Sequence, residues 1–576
     1  MPTFPHIVIR ASAGTGKTFQ LSNRFLGLIC AGEPADHILA ATFARKAAGE
    51  ILDRVLLRLA DAALDPDRLQ QLGQFIGHPQ LGRDECLAML QDLIRRVHRL
   101  RIGTLDSFFI QMAGSFALEL GLPPGWRIVS ELDDQQLRSE AIRTVLRRES
   151  VADLLTLMRL LSKGELVRSV TQQIRGAVDS LYDMYREAPA SAWDCIPRHT
   201  TLPPEELQLT LDEIAAVGGL SDGMAKARTS DLTAAREDDW QTFISKGLAC
   251  KLLAGETTYN RKEIPPDLAD AYRPLLDHAR AVLLNNLANQ LDATRRLLQK
   301  FDEAYQELKT GGRALRFDDV ARTLAGGVSV ARTVNVCYRL DSQISHLLLD
   351  EFQDTSLLQW SVVGPLARHV TDEQPRSFLC VGDVKQAIYG WRGGVSEIFD
   401  AVDQEIEGLA TESLSQSYRS SDVIMQAVNQ VFDDLRPNMG LREFPELTDR
   451  WRSRFQSHST ARNKLAGYAR LVAAPRAGES QSQAEATLQF AAAEVARLAQ
   501  QHPGRSIGVL VRRNSAVARM IHLLRTEHNL TASEEGGNPL TDSAAVQYLL
   551  SLLTIADHPG DKVARYHVAR SPLGPI

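Results

Sequence analysis

The stretch Ala11–Thr18, ASAGTGKT, lies between a short β-rich run, His6–Arg10, and a helical stretch from Lys17 to about Cys30. Gly14 and Gly16 let the backbone turn its N–H groups toward phosphate oxygens, and the following helix adds its positive N-terminal end. In such a loop the lysine reaches the β- and γ-phosphates and the next hydroxyl holds Mg²⁺. Those tasks fall to Lys17 and Thr18, with Ala11, Ser12, Ala13, Gly14, Thr15 and Gly16 around the phosphates of ATP. A second feature is the apolar run Leu347–Leu349, which ends in Asp350–Glu351–Phe352–Gln353–Asp354. Asp350 can hold the magnesium ion, and Glu351 can orient and deprotonate an attacking water. An acidic pair after a strand is commonly a solvated turn. Beside a phosphate loop it is the other half of a nucleotide-hydrolysing site.

The elements around these residues alternate. His37–Phe43 and Arg101–Leu105 read as further strands, with a helix across Arg45–Leu59 between them, which argues for a parallel sheet covered on both faces. Positions 17 and 350 are separated by 333 residues, too many for a minimal nucleotide-binding domain, so a large insertion is expected. Residues 131–310 carry helical periodicity. Strands return at His346–Leu349 and Ser377–Val381, and another α/β stretch begins near Glu412 and includes a strand at Ser506–Val511. Gly478–Glu485 reads as a loop or the start of a helix.

Composition narrows the class. With 576 residues, 44% hydrophobic and 24% charged, the chain is a multi-domain globular protein rather than a disordered or fibrous one. A net charge of -6 excludes a wholly basic nucleic-acid coat but not a local basic groove. No apolar run reaches the roughly 18 residues of a spanning helix, and the N-terminus lacks a signal pattern. The six cysteines form no CxxC pair, and the histidines show no ligand spacing, so reduced thiols, a cytoplasmic setting and no metal beyond nucleotide-bound magnesium are expected.

The motifs form an ordered series. After the phosphate loop come ATFARKAAGEILDRV (Ala41–Val55), IGTLDSFF (Ile102–Phe109), LLLDEFQDTS (Leu347–Ser356), VGDVKQAIYGWRGG (Val381–Gly394) and LSQSYRSS (Leu414–Ser421). This series resembles superfamily 1 helicases of the UvrD/Rep type, most closely their RecB/AddA-like branch, whose motifs I, Ia, Ib, II, III and IV these segments match. LELGLPPGWRIVSELD (Leu118–Asp133) and LRFDDV (Leu315–Val320) resemble the segments that flank the family's helical subdomain. Asp106 stands where many relatives have His, and Ser417 where Asn is common.

The resemblance implies an α/β P-loop NTPase with two RecA-like lobes, the second incomplete, and a large helical insertion in the first. The expected divisions are 1–112 and 306–403 for the first lobe, 113–305 for the insertion and 404–576 for the second lobe. It further implies that Gln386 senses the γ-phosphate, Tyr418 stacks on adenine and Arg419 reaches the γ-phosphate from across a cleft. Thr42, Phe43, Thr104, Ser107, Tyr389, Trp391 and Arg392 would meet DNA. Aromatic faces bind any base, which suits sequence-independent movement. In the insertion, Tyr259, Arg261 and Lys262 could touch duplex DNA, although an exposed loop is the plainer reading.

Motifs V and VI have no counterpart, nor does a nuclease domain. VARYHVARSPLGPI resembles the start of the family's second insertion, so the chain looks like the front part of a longer helicase. The activity implied is ATP-dependent 3′–5′ DNA unwinding in repair and recombination. Its partners would be single-stranded DNA, duplex junctions and a second helicase–nuclease subunit, with no membrane. The alternative is a nucleotide-gated single-strand-binding module that does not unwind. A non-DNA P-loop ATPase is disfavoured by Gln386, Tyr389 and Trp391 standing together.

Overall fold

Six short strands form, the central ones from near-continuous apolar runs: β1 (Ile7–Ala11), β2 (Ile38–Thr42), β3 (Arg101–Thr104), β4 (His346–Leu349), β5 (Ser377–Gly382) and β6 (Ala410–Leu414). They pair into one sheet, all parallel, in the order β6-β1-β5-β4-β2-β3. This computed structural model describes residues 4–148, 170–327, 344–372, 375–388, 390, 394–478, 481–534 and 544–571. The chain divides into two compact units, Met1–Lys464 and Leu465–Ile576.

In the first unit, every residue of β4 and β5 is buried, as a parallel strand covered on both faces requires. Side chains alternate between two cores, following the two-residue period of a strand. Leu347, Leu349, Phe378 and Cys380 join Phe108, Phe109, Val363 and Phe399 on one face. Leu348, Leu379 and Val381 join Leu21, Phe25, Ile51 and Val55 on the other.

The helical insertion leaves and returns through a two-residue parallel pair, Arg127–Ile128 with Ala314–Leu315. Its backbone is the 46-residue helix Pro266–Gly311, about 69 Å long at 1.5 Å per residue. One core gathers on its first half around Trp240, Phe243 and Tyr272. Another forms on its second half around Tyr182, Phe301 and Tyr305. At the foot of the insertion Asp319 accepts from Lys309 Nζ (2.8 Å), Arg186 Nη1 (2.6 Å) and the Arg316 backbone N–H (2.9 Å). Tyr259 and Lys262 pair in a tight antiparallel hairpin whose turn residues, Asn260 and Arg261, have φ of 49° and 64°. Two successive positive φ values are the signature of a two-residue primed turn, and the tip is an exposed loop.

Two sequence expectations are altered. Ala410–Leu414, placed beyond the lobe boundary at 404, is instead the edge strand of the first sheet, with Ile7 opposite Ala410 and Ala11 opposite Leu414. Ser506–Val511 is not a strand, and Leu510 is fully exposed. A strand needs a partner for its backbone groups, and the described residues of the second unit contain no other strand. Its described residues form the helices Gln483–Gln501, Asn514–Thr526, Ala544–Asp557 and Lys562–Arg570, with a small core of Ala492, Met520, Leu523 and Leu524. Ser482 caps the first of them by accepting from Glu485 N–H, which accounts for the described part of the polar run before it. No helix among the described residues is long and apolar enough to cross a membrane.

Candidate active site

Parallel sheets place their ligand sites at the carboxyl ends of the strands, and here β1 and β4 end in the two sequence features that could do chemistry. After β1 the chain turns through Gly14 (φ 75°) and Gly16 (φ 94°) into the helix Lys17–Cys30. After β4 come Asp350 and Glu351, the latter itself in the left-handed region at φ 50°. Lys17 Nζ donates to Glu351 Oε2 at 2.8 Å, and Thr18 Oγ1 to Asp350 Oδ2 at 3.2 Å, across 334 and 332 residues of sequence.

Asp350 is 5% exposed. Burial, then the neighbouring Glu351 charge, pushes its carboxyl up to about 6 against the pull of Lys17. Asp354 is likewise pushed to about 6, by burial and then Glu351. Three carboxylates thus crowd one ammonium. The Thr18 hydroxyl and the Asp350 carboxylate form a hard oxygen set of the kind Mg²⁺ takes, so the residues fit that ion.

Motif IV lies against the phosphate loop instead of across a cleft from it. Tyr418 N–H donates to Gly14 O at 2.8 Å, and Ser12 N–H to Leu414 O at 3.0 Å. A Cβ on Gly14 would come within 2.8 Å of Ser417 Oγ and 2.9 Å of Arg419 Cβ, so glycine is required there for space as well as for φ. Ser417 Oγ accepts from the N–H groups of Arg419 and Ser420, both at 3.3 Å, making the turn that brings Arg419 in. The Tyr418 ring is 56% exposed. Gln386 Nε2 donates to Asp383 Oδ2 at 2.6 Å, and Lys385 Nζ to Ser12 Oγ at 3.0 Å.

Beside this centre a cavity of about 390 Å³ is lined by Phe43, Ala44, Arg45, Thr104, Asp106, Ser107, Ile110 and Phe317. It gathers three residues expected to meet DNA. Thr104 caps the helix Leu105–Ser115 by accepting from Ser107 N–H. Thr42, the last residue of β2, is buried and does not line the cavity. Tyr389, Trp391 and Arg392 lie outside the described residues. Sequence reasoning missed Phe317, Gln353 and Lys385. Only the position of Gln353 and Lys385 inside the motifs could have signalled them. Asp106 accepts from Gln359 Nε2 at 3.1 Å, a link no imidazole role predicts.

The UvrD/REP helicase N-terminal domain profile matches residues 3–407. The chain is 24% identical over 494 residues to an ATP-dependent helicase/nuclease subunit from Streptococcus thermophilus, covering 75% of this chain and 38% of that protein. It is 26% identical over 459 residues to the RecBCD enzyme subunit RecB of Chlamydia muridarum, covering 74% and 42%. The chain therefore spans about two fifths of the length of these relatives. With the profile covering well over half of its residues, the chain belongs to the UvrD/REP helicase family.

Proposed function

We propose that this chain carries the nucleotide site and part of the DNA track of an ATP-dependent 3′–5′ DNA helicase of the RecB/AddA type, acting in repair and recombination in the cytoplasm. The observation that carries the reading is the meeting of Lys17 with Glu351 and of Thr18 with Asp350 at the carboxyl ends of the strands, beside the Phe43–Thr104–Ser107 cavity. Mg²⁺, held by Thr18 and Asp350, would neutralise phosphate charge. Lys17 leaves Glu351 for the phosphates, and Glu351 is then free to take the proton of the attacking water. Arg419 and Gln386 face the γ-phosphate, and Tyr418 offers its ring to adenine. Phe43, Thr104 and Ser107, with Tyr389, Trp391 and Arg392, would hold a single strand, Thr42 serving to set the end of β2. Two RecA-like lobes in the complete enzyme follow from the family's design, and the names of the relatives point to a partner that is a second helicase–nuclease subunit.

A second reading has a specific observation in its favour. The described part of the unit 465–576 contains no strand. Residues 1–576 alone would then bind nucleotide and single-stranded DNA without unwinding. The test is direct binding by the purified chain. Lys17→Ala should abolish measurable Mg-ATP binding while leaving oligonucleotide binding intact. Phe43→Ala should cost about 1–3 kcal/mol of single-strand affinity, the worth of one stack, and leave Mg-ATP binding unchanged. Equal Mg-ATP affinity of wild type and Lys17→Ala would sink the nucleotide site. Robust unwinding by residues 1–576 would remove the second reading.

A further inference from the structure

The polar side of the cavity lined by Phe43 and Phe317 is built from Thr104, Asp106 and Ser107. The two hydroxyls direct their protons inward. Ser107 Oγ donates to the Thr104 carbonyl at 2.6 Å, and Thr104 Oγ1 donates to Ser107 Oγ at 3.2 Å. A hydroxyl has a single proton to donate and two lone pairs. With both protons committed, what the pair can offer a ligand is lone pairs. Asp106 adds a carboxylate, which accepts and does not donate.

The Asp106 carboxylate is held from outside the cavity. Ser356 N–H donates to Gln359 Oε1 at 3.1 Å, so the other end of that amide is its NH2 group, which donates to Asp106 Oδ1 at 3.1 Å. Gln359 N–H donates in turn to Ser356 Oγ at 3.1 Å. This reciprocal cap opens the helix Leu357–Thr371 and fixes the Gln359 side chain. A carboxylate offers about four acceptor sites, so one amide does not exhaust it. Arg45, the cation of the lining, is exposed and suits a backbone phosphate. Phe43 and Phe317 supply aromatic surface, on which any base can stack.

We propose that Asp106 makes this cavity selective for an unstacked base that carries an exocyclic amino group, so that cytosine, adenine and guanine are accepted and thymine and uracil are disfavoured. This rests on the proposed function, which gives the cavity to a single strand. It adds a preference at one position of a track that otherwise stacks bases without regard to sequence. An exocyclic amine donates to the carboxylate, as cytosine N4 does to an acidic side chain. Uracil and thymine present carbonyl oxygens instead. Their ring N–H stands between two carbonyls, so an acceptor wall that meets it also meets a like group. Acceptor facing acceptor leaves both unsatisfied in a desolvated pocket, and that mismatch is the source of the discrimination.

The test compares the affinity of residues 1–576 for oligo(dC) and oligo(dU) of equal length at one ionic strength. The two match in size and charge and differ along one base edge. Wild type should bind oligo(dC) at least about tenfold more tightly, a step typical of one hydrogen bond to a charged group. Asp106→Asn keeps the shape, and its amide can serve either base, so the ratio should fall to about one. If that variant does not fold, Asp106→Ala, which suits a helix and has no acceptor, is read in the same way. A role confined to charge, or to holding Gln359, would move both affinities by a common factor and leave their ratio unchanged. A folded variant that keeps the wild-type ratio therefore overturns the proposal. Equal binding of the two oligonucleotides by wild type overturns the selectivity while leaving the proposed function standing. Binding of neither overturns the proposed function itself.

Discussion

Asp319 at the foot of the insertion and Asp350 at the proposed nucleotide site are equally buried, each 5% exposed, yet their carboxyl groups are driven in opposite directions. Burial pushes both up. At Asp319 the charge of Lys309, then its hydrogen bond, the Arg316 N–H and Arg186, overcome burial and hold the carboxyl below its ordinary value. At Asp350 the nearest charge is another carboxylate, and Lys17 does not compensate for it. Asp231, 3% exposed, separates the two causes. It accepts from Leu248 N–H, Ala249 N–H and Tyr272 OH, all neutral, and burial still pushes it up to about 6. Donor number therefore does not decide the direction; full positive charge does. At Asp231 three neutral donors fill the carboxylate, whereas at Asp350 the shortfall of positive charge stands beside the Thr18 hydroxyl, in keeping with the proposed Mg²⁺ site.

The comparison can be broken most forcefully at Asp319. Asp319→Ala leaves Lys309, 2% exposed, without its carboxylate, and should cost about 3–5 kcal/mol of stability. Denaturation followed by a probe in the insertion checks this, and a loss under about 0.5 kcal/mol, the range of ordinary surface changes, would show that Asp319 is not the hub described. Asp350→Asn should act with the opposite sign. Removing a charge whose carboxyl sits near 6 instead of 3.8 should stabilise the nucleotide-free chain at pH 7 by on the order of 3 kcal/mol, while Mg-dependent nucleotide binding is lost. A destabilised Asn variant would overturn the assignment of strain to this carboxylate.

The smallest effect is a pH dependence, and it too differs in sign. The depressed Asp319 stabilises the fold at neutral pH and loses that contribution only as pH falls through its lowered value. The raised Asp350 costs stability when ionised, and that cost fades as pH falls through about 6. A cation needs the ionised carboxylate. Magnesium-dependent ATP affinity should thus fall by up to about tenfold per pH unit below 6, or about 1.4 kcal/mol. Titrations at pH 5, 6 and 7 check this, and a flat profile would remove Asp350 as a ligand.

The proposed nucleotide site is legible in the sequence because its chemistry is local. Gly14, Gly16 and Lys17 define a loop by themselves, and a buried strand running into Asp350 and Glu351 needs no distant residue to be noticed. What escapes depends on neighbours far along the chain. Gln353 is one polar residue in an acidic run until Asp383 N–H is seen beside it. Ala410–Leu414 has an exposed, mixed sequence, and only its pairing with Ile7–Ala11 makes it part of the first sheet. Ser506–Val511 is rich in β-formers but has no strand partner among the described residues, which no propensity can supply. The motif assigns Arg419 to the γ-phosphate, but its packing on Gly14 follows from a turn made by Ser417.

The position of β1 inside its sheet has a consequence for biosynthesis. Both of its neighbours come late: Ile7 pairs with Leu379 on one side and with Ala410 on the other. At about 5–20 residues per second, the ribosome needs roughly 20–80 s to extend the chain from the first strand to the last. For most of that interval both edges of β1 are unpaired, and an unpaired apolar strand is a template for association with other chains. The insertion, whose two ends meet at Arg127–Ile128 and Ala314–Leu315, is complete well before then and can fold on the nascent chain. The polypeptide therefore emerges with its first strand, the one that leads into the phosphate loop, as the last to be sheltered. Chaperone protection of this N-terminal strand during synthesis would decide the yield of folded protein.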